Sequence, residues 1–206
     1  NPLTVQYADA PAMGQIEIVK TDSETGDPLE EAEFTITAAE DIVTPDGTVH
    51  AAAGDVVDTV VSGKNGKATS KNLYLGKYTV TETKQPAGYV LPDQSWEVEL
   101  TYKDQYTELV TETLDAENQP TVVIIDKKVT GSDQRLSGVK FAIWNKDSED
   151  PVDPGMTYKD IYKTDREGQI RLEKFAPGTY CIKEVEGIPG YAVDASIHEY
   201  TATEDG

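Results

Sequence analysis

The chain has a single cysteine, Cys181, among 206 residues, and that excludes an intrachain disulfide. Secreted β-proteins commonly take reinforcement from disulfides, so this one goes without or uses another covalent device. Histidine is almost as scarce, with only His50 and His198. Gly-x-Ser-x-Gly, His-Glu-x-x-His and phosphate-loop motifs are missing too, and no carboxylate pair is marked out for glycosidase work. An enzyme that turns over is not expected, and neither a cofactor nor a metal site is indicated. No run approaches the roughly 18 apolar residues of a membrane span, so no membrane insertion is expected in this segment. Asn1-Pro2-Leu3-Thr4 shows no charged n-region and no apolar h-region. The chain therefore reads either as intracellular or as a piece of something longer. Basic residues are also few, 18 against 38 acidic ones, for a net charge of −20. Such a surface repels phosphate backbones and anionic lipid, which argues against nucleic-acid and membrane-surface partners.

What is present suits a packed β-protein. Hydrophobic residues make up 37% and charged residues 27%, near the globular norm. Gln15–Lys20, Glu33–Thr37, Tyr78–Glu82 and Trp96–Thr101 alternate apolar and polar positions between Asp-Gly, Asn-Gly and Pro/Gly clusters. Period two bounded by turn residues predicts an all-β sandwich. The pattern occurs twice. Leu29 and Phe34 correspond to Leu136 and Phe141 at an offset of 107, while Gly76-Lys77-Tyr78 and Tyr89 correspond to Gly178-Thr179-Tyr180 and Tyr191 at 102. A drift of five residues is loop-length variation between duplicated modules. Two tandem modules are expected, over 14–120 and 121–206, with residues 1–13 as a linker leading in.

Three polar positions break the burial rule. Side chains of a strand alternate faces, so Lys20 shares its face with Ile16 and Ile18, and Glu82 shares its face with Tyr78 and Val80. Asn118 sits on the same parity as Leu114 and Ala116. Each alone has an ordinary explanation, in snorkelling for the charged pair and a turn for the asparagine before Gln119-Pro120. Together they direct an amine, a carboxyl and a carboxamide into one apolar interior.

The run Tyr78–Tyr89 (YTVTETKQPAGY) resembles the E-box of Gram-positive pilins and adhesins, in domains known as CnaB-type or SpaA-like. The opening Ile-x-Ile-x-Lys, the Thr25-Gly26-Asp27-Pro28-Leu29 turn and the closing Leu-x-Ala-x-Asn-x-x-Pro fit as well, so the resemblance spans roughly residues 14 to 206. It implies Ig-like, prealbumin-like sandwiches and an extracellular place on the cell wall, as a stalk segment whose partners are neighbouring domains of the same surface protein. It also implies a self-formed isopeptide bond between Lys20 and Asn118, with Glu82 as its catalytic acid. A ligand-binding adhesin module for a host glycan or matrix protein is the alternative. The segment from Ala38 to Asp55 would carry it, although Thr44-Pro45-Asp46-Gly47 is more simply a hairpin turn. The acidic Asp22-Ser23-Glu24 lacks EF-hand spacing and reads as a solvated turn rather than a calcium site.

In the second module Glu184 shares parity with Tyr180 and Ile182, seven residues before Tyr191 as Glu82 is before Tyr89. Its lysine is ambiguous: Lys127 follows Val123 and Ile125 on the cleaner apolar face, whereas Lys128 shares a face with Asp126. An acceptor spaced like Asn118 from Tyr89 would fall near position 220 (191 + 118 − 89), beyond Gly206. The expectation is a second module lacking its last strand, an unbonded lysine, and an open sheet edge able to accept a strand from another chain.

Overall fold

Alternating apolar residues bury only if a second sheet covers the face they share, and this protein meets that demand twice over. The computed structural model describes residues 10–146, 161–175 and 177–203. Residues 1–9 of the expected linker and residues 204–206 lie outside the described residues. Two compact units result, one of Asn1–Pro86 with Leu91–Gln119 and one of Ala87–Val90 with Pro120–Gly206. The described residues are strands and connections throughout, without a helix.

Unit 1 contains β1 (Met13–Asp22), β2 (Glu33–Ala38), β3 (Ile42–Val43), β4 (Val49–Ala51), β5 (Val56–Val61), β6 (Lys67–Thr69), β7 (Leu73–Tyr74), β8 (Gly76–Lys84), β9 (Ser95–Leu100) and β10 (Leu109–Asn118). One sheet runs β10-β1-β6 with β7 also on β1, and the other runs β5-β2-β8-β9. Burial alternates without a break along β1 and β2, and the inward residues Ile16, Ile18, Phe34, Ile36, Val80 and Ala116 meet in one core. β3 and β4 form the small hairpin that Thr44–Gly47 announced, closed by Thr44 N–H donating to the Thr48 carbonyl at 3.0 Å. The pairing that matters most is β1 with β10. The first and last strands lie side by side in parallel, from Met13 opposite Leu109 to Asp22 opposite Asn118.

Unit 2 contains β11 (Val122–Asp126), β12 (Lys140–Asn145), β13 (Ile161–Lys163), β14 (Gln169–Glu173), β15 (Gly178–Glu186) and β16 (Ile197–Ala202). Its sheets are β11-β14 and β13-β12-β15-β16. Ala87–Val90 belongs to it because Thr121 N–H donates to the Gly88 carbonyl at 2.9 Å and Tyr89 bridges to Pro120.

The duplication is visible in the hydrogen bonds. Lys20 N–H donates to Gly66 O at 2.7 Å, and Lys127 N–H to Gly168 O at 2.9 Å. Leu29 N–H donates to Lys20 O at 3.0 Å, and Leu136 N–H to Lys127 O at 2.8 Å. Ala32 N–H meets Ser62 Oγ and Val139 N–H meets Thr164 Oγ1, each at 3.0 Å. Gly66 must be glycine for two reasons: its φ is +74°, and a Cβ there would stand 2.5 Å from Lys20 O. The turn before β6 can thus press against β1 at the lysine.

Candidate functional site

Among the described residues, the buried charged groups of unit 1 gather at one end of the β1–β10 pair. Lys20, Glu82 and Asn118 are 0%, 3% and 1% exposed, among the neighbours that their alternation promised. β1 holds Lys20 opposite Ala116, one step from Asn118 along the same face of the parallel ladder. β8 brings Glu82 in from the opposite sheet, opposite Phe34 of β2. The three sequence-derived residues therefore meet.

Glu82 stands between the other two. Its Oε1 accepts a hydrogen bond from Asn118 Nδ2 at 3.0 Å, and its Oε2 lies 3.9 Å from Lys20 Nζ. Oε2 has no hydrogen-bond partner, although it is fully buried. Lys20 Nζ donates to the Ala116 carbonyl at 3.4 Å, which keeps the amine at the β10 strand. An amine and a carboxamide thus share one carboxyl group in the buried interior.

The electrostatics follow from burial. Desolvation pushes the Lys20 amine down to about 8, against the opposing charges of Glu82, Glu117 and Asp22. Desolvation also pushes Glu82 above the usual carboxylate range, against the Lys20 charge and the Asn118 hydrogen bond. Both shifts favour uncharged forms, since a low-dielectric interior penalises either ion. In an Asn118→Ala chain, which offers the amine no carboxamide and leaves both groups titratable, the sign of each contribution is fixed by linkage. Between pH about 8 and 10.5 the unfolded chain binds the extra lysine proton, so stability rises with pH there. Above the ordinary carboxylate value of 4.5 the folded chain binds the extra Glu82 proton, so stability falls with pH across that window. Denaturant unfolding of this variant from about pH 5 to about pH 10 should show a minimum between the two windows.

Unit 2 holds a different version. Its register makes Lys127 the counterpart of Lys20, and Lys127 Nζ donates to Glu184 Oε2 at 2.8 Å. Glu184 Oε2 also accepts the Asp194 N–H at 3.3 Å, and the Lys127 side chain is 22% exposed. Lys128 points away, to Asp133 at 3.7 Å on the surface. Among the described residues β11 pairs with β14 alone, and nothing occupies the edge that corresponds to the β10 side of β1.

One expectation is corrected. Asp22 is not part of a solvated turn; it is 1% exposed, and its Oδ1 accepts the N–H groups of Glu24 at 2.8 Å and Thr25 at 3.2 Å. The signal was available, because Asp22 lies two residues beyond Lys20 and so shares its face. Among the described residues, no cluster of histidine, cysteine or acidic side chains is arranged to hold a metal ion.

Residues 14–114 and 122–206 match the family described as SpaA, a prealbumin-like fold domain. No curated protein sequence matches the chain. Among solved structures, the chain is similar to the Bacillus anthracis TIE protein at 22% identity and a TM-score of 0.49, over 95% of this chain and 32% of that one. It is similar to a variant of the shaft pilin SpaA from Lactobacillus rhamnosus GG at 19% identity and a TM-score of 0.44, over 94% and 95% of the two chains. Against the group B streptococcus pilus 2b backbone protein the values are 27% and 0.40, over 52% of this chain and 41% of that one. The chain spans only about a third of the TIE protein and about two fifths of the backbone protein.

Proposed function

We infer that this chain, which belongs to the SpaA family of prealbumin-like fold domains, is a non-enzymatic structural segment of a Gram-positive cell-surface pilin or adhesin. Its first unit would close itself with an isopeptide bond from Lys20 to Asn118. The observation that carries this reading is the buried contact of Glu82 with both reacting groups, at 3.9 Å and 3.0 Å.

The chemistry follows from that contact. Burial moves the ammonium proton onto Glu82 and leaves a neutral amine, which is a nucleophile. Nζ of Lys20 attacks Cγ of Asn118, forming the Nζ–Cγ bond. Glu82 passes a proton to Nδ2 and takes one from the attacking nitrogen. The Cγ–Nδ2 bond breaks, ammonia leaves, and Glu82 ends protonated as it began. Amine–amide exchange is very slow in water, but groups held in contact react with effective molarities of about 10⁵–10⁸ M. The fold acts once, on itself.

Geometry gives the link a mechanical use. Tension entering through β1 passes from Lys20 to Asn118 and leaves at Gln119, so the chain between carries none of it. In unit 2 the amine belongs to an ion pair with Glu184, and residues 1–206 place no acceptor beside it among those described. One bond is therefore proposed for this chain. Intact mass tests the count: the chain should weigh one ammonia less than its sequence, and an undiminished mass or a loss of two would defeat the reading.

A further inference from the structure

The turn after β1 is closed in the same way in both units, yet only unit 1 puts a carboxylate inside it. Asp22 N–H donates to Asp27 O at 2.9 Å, and Val129 N–H, 107 residues on, donates to Gln134 O at 2.9 Å. Valine suffices to close the turn, so the Asp22 carboxylate serves something else.

Two features are peculiar to unit 1. The Asp22 Oδ1 gathers the N–H groups of Glu24 and Thr25, and the N–H of the residue between, Ser23, donates to the Asn118 carbonyl at 3.0 Å. Asp22 is also the register partner of Asn118, the last pair of the β1–β10 ladder. The Ser23 bond adds a backbone tie to the ladder and to the Asn118–Glu82 hydrogen bond, at a strand end where fraying is easiest.

We infer that Asp22 is a positioning residue for the Lys20–Asn118 reaction, holding the Asn118 backbone in register through the turn that its carboxylate ties down. The inference rests on the isopeptide reading above. Asp22 acts through Ser23, and an acceptor oxygen is the property it needs, which asparagine retains and alanine lacks. Its negative charge provides a second readout. Lys20 feels Glu82 from β8, Glu117 from β10 and Asp22 from its own strand. Removing one of these anions eases loss of the lysine proton, so the reaction should extend to lower pH.

The test uses full chains made by cell-free synthesis, quenched in acid at intervals and weighed intact, for wild type, Asp22→Asn and Asp22→Ala. Wild type should lose one ammonia. Asp22→Asn should react within about threefold of the wild-type rate, with its pH profile displaced downward, and Asp22→Ala should react at least about tenfold more slowly. Wild type reacting while Asp22→Ala keeps pace overturns the inference and leaves the bond intact. Asp22→Asn as slow as Asp22→Ala overturns it too. Should the alanine chain fail to fold, the asparagine chain decides, and an undisplaced profile counts against the proposal. A wild-type chain that loses no ammonia removes the reaction itself, and the inference falls with it.

Discussion

A Glu82→Ala chain should keep its full sequence mass, while the unaltered chain weighs one ammonia less. The carboxyl is the only group that contacts both the amine and the carboxamide through its two oxygens among the contacts described, at 3.9 Å and 3.0 Å. Removing it takes away a charge that favours the Lys20 ammonium, but it strands the proton that must leave Nζ and the proton that Nδ2 must gain. Positioned acid–base catalysis is worth about 10²–10⁴-fold, enough to leave the variant unreacted over the time in which the unaltered chain goes to completion. Glu82→Gln separates the two duties of the side chain. A glutamine carbonyl can still accept the Asn118 hydrogen bond, but it carries no proton to transfer, so it too should keep the full mass. Ammonia loss from either variant would mean that proximity alone drives the exchange.

The second large effect is on stability. A bond from Lys20 to Asn118 closes a loop of 98 residues (118 − 20) in the unfolded chain. On the chain-entropy account developed for disulfides, a loop of that size stabilises by about 4–5 kcal/mol. Lys20→Met is the informative comparison, because methionine nearly fills the lysine volume without a buried amine. It leaves the Glu82 carboxyl buried without the amine, but burial already pushes that carboxyl towards its neutral form. A loss that Lys20→Met shares with Glu82→Gln, which blocks the link and leaves no buried carboxylate, belongs to the link. The midpoint of unit 1 should fall by about 20 °C or more in a calorimetric scan, since about 1 kcal/mol shifts a domain of this size by roughly 4–8 °C. Under force the contrast is sharper. Pulled from its two ends, the linked chain should never release the residues between 20 and 118, whereas the methionine chain should unravel through them. Equal midpoints and equal extensions would remove the mechanical case.

Much of this was legible beforehand because a strand has so short a period. Two isoleucines before Lys20, and Tyr78 and Val80 before Glu82, oblige the polar residue to share their face, and all of these prove buried. The same rule worked less cleanly on β10, where Leu114 is only half-buried although it shares the parity of Asn118. It also applied to Asp22, whose turn-like neighbours Ser23 and Glu24 suggested exposure when parity pointed inward. Lys127 and Lys128 could not be separated by parity alone with comparable force; the backbone bond from Lys127 to Gly168, matching that from Lys20 to Gly66, sets the counterpart.

Facing is a local property, dictated by alternation within six or ten residues, so the amino-acid order alone determined the β class, the duplication and the inward aim of Lys20, Glu82 and Asn118. Pairing is not local. That β1 lies parallel to β10, with Asp22 opposite Asn118, depends on how two sheets close over a common core, and no stretch of either strand encodes its neighbour. Only the tertiary structure decided that one carboxyl would bridge an amine and a carboxamide 98 residues apart, because distance between strands is set by packing and not by sequence spacing.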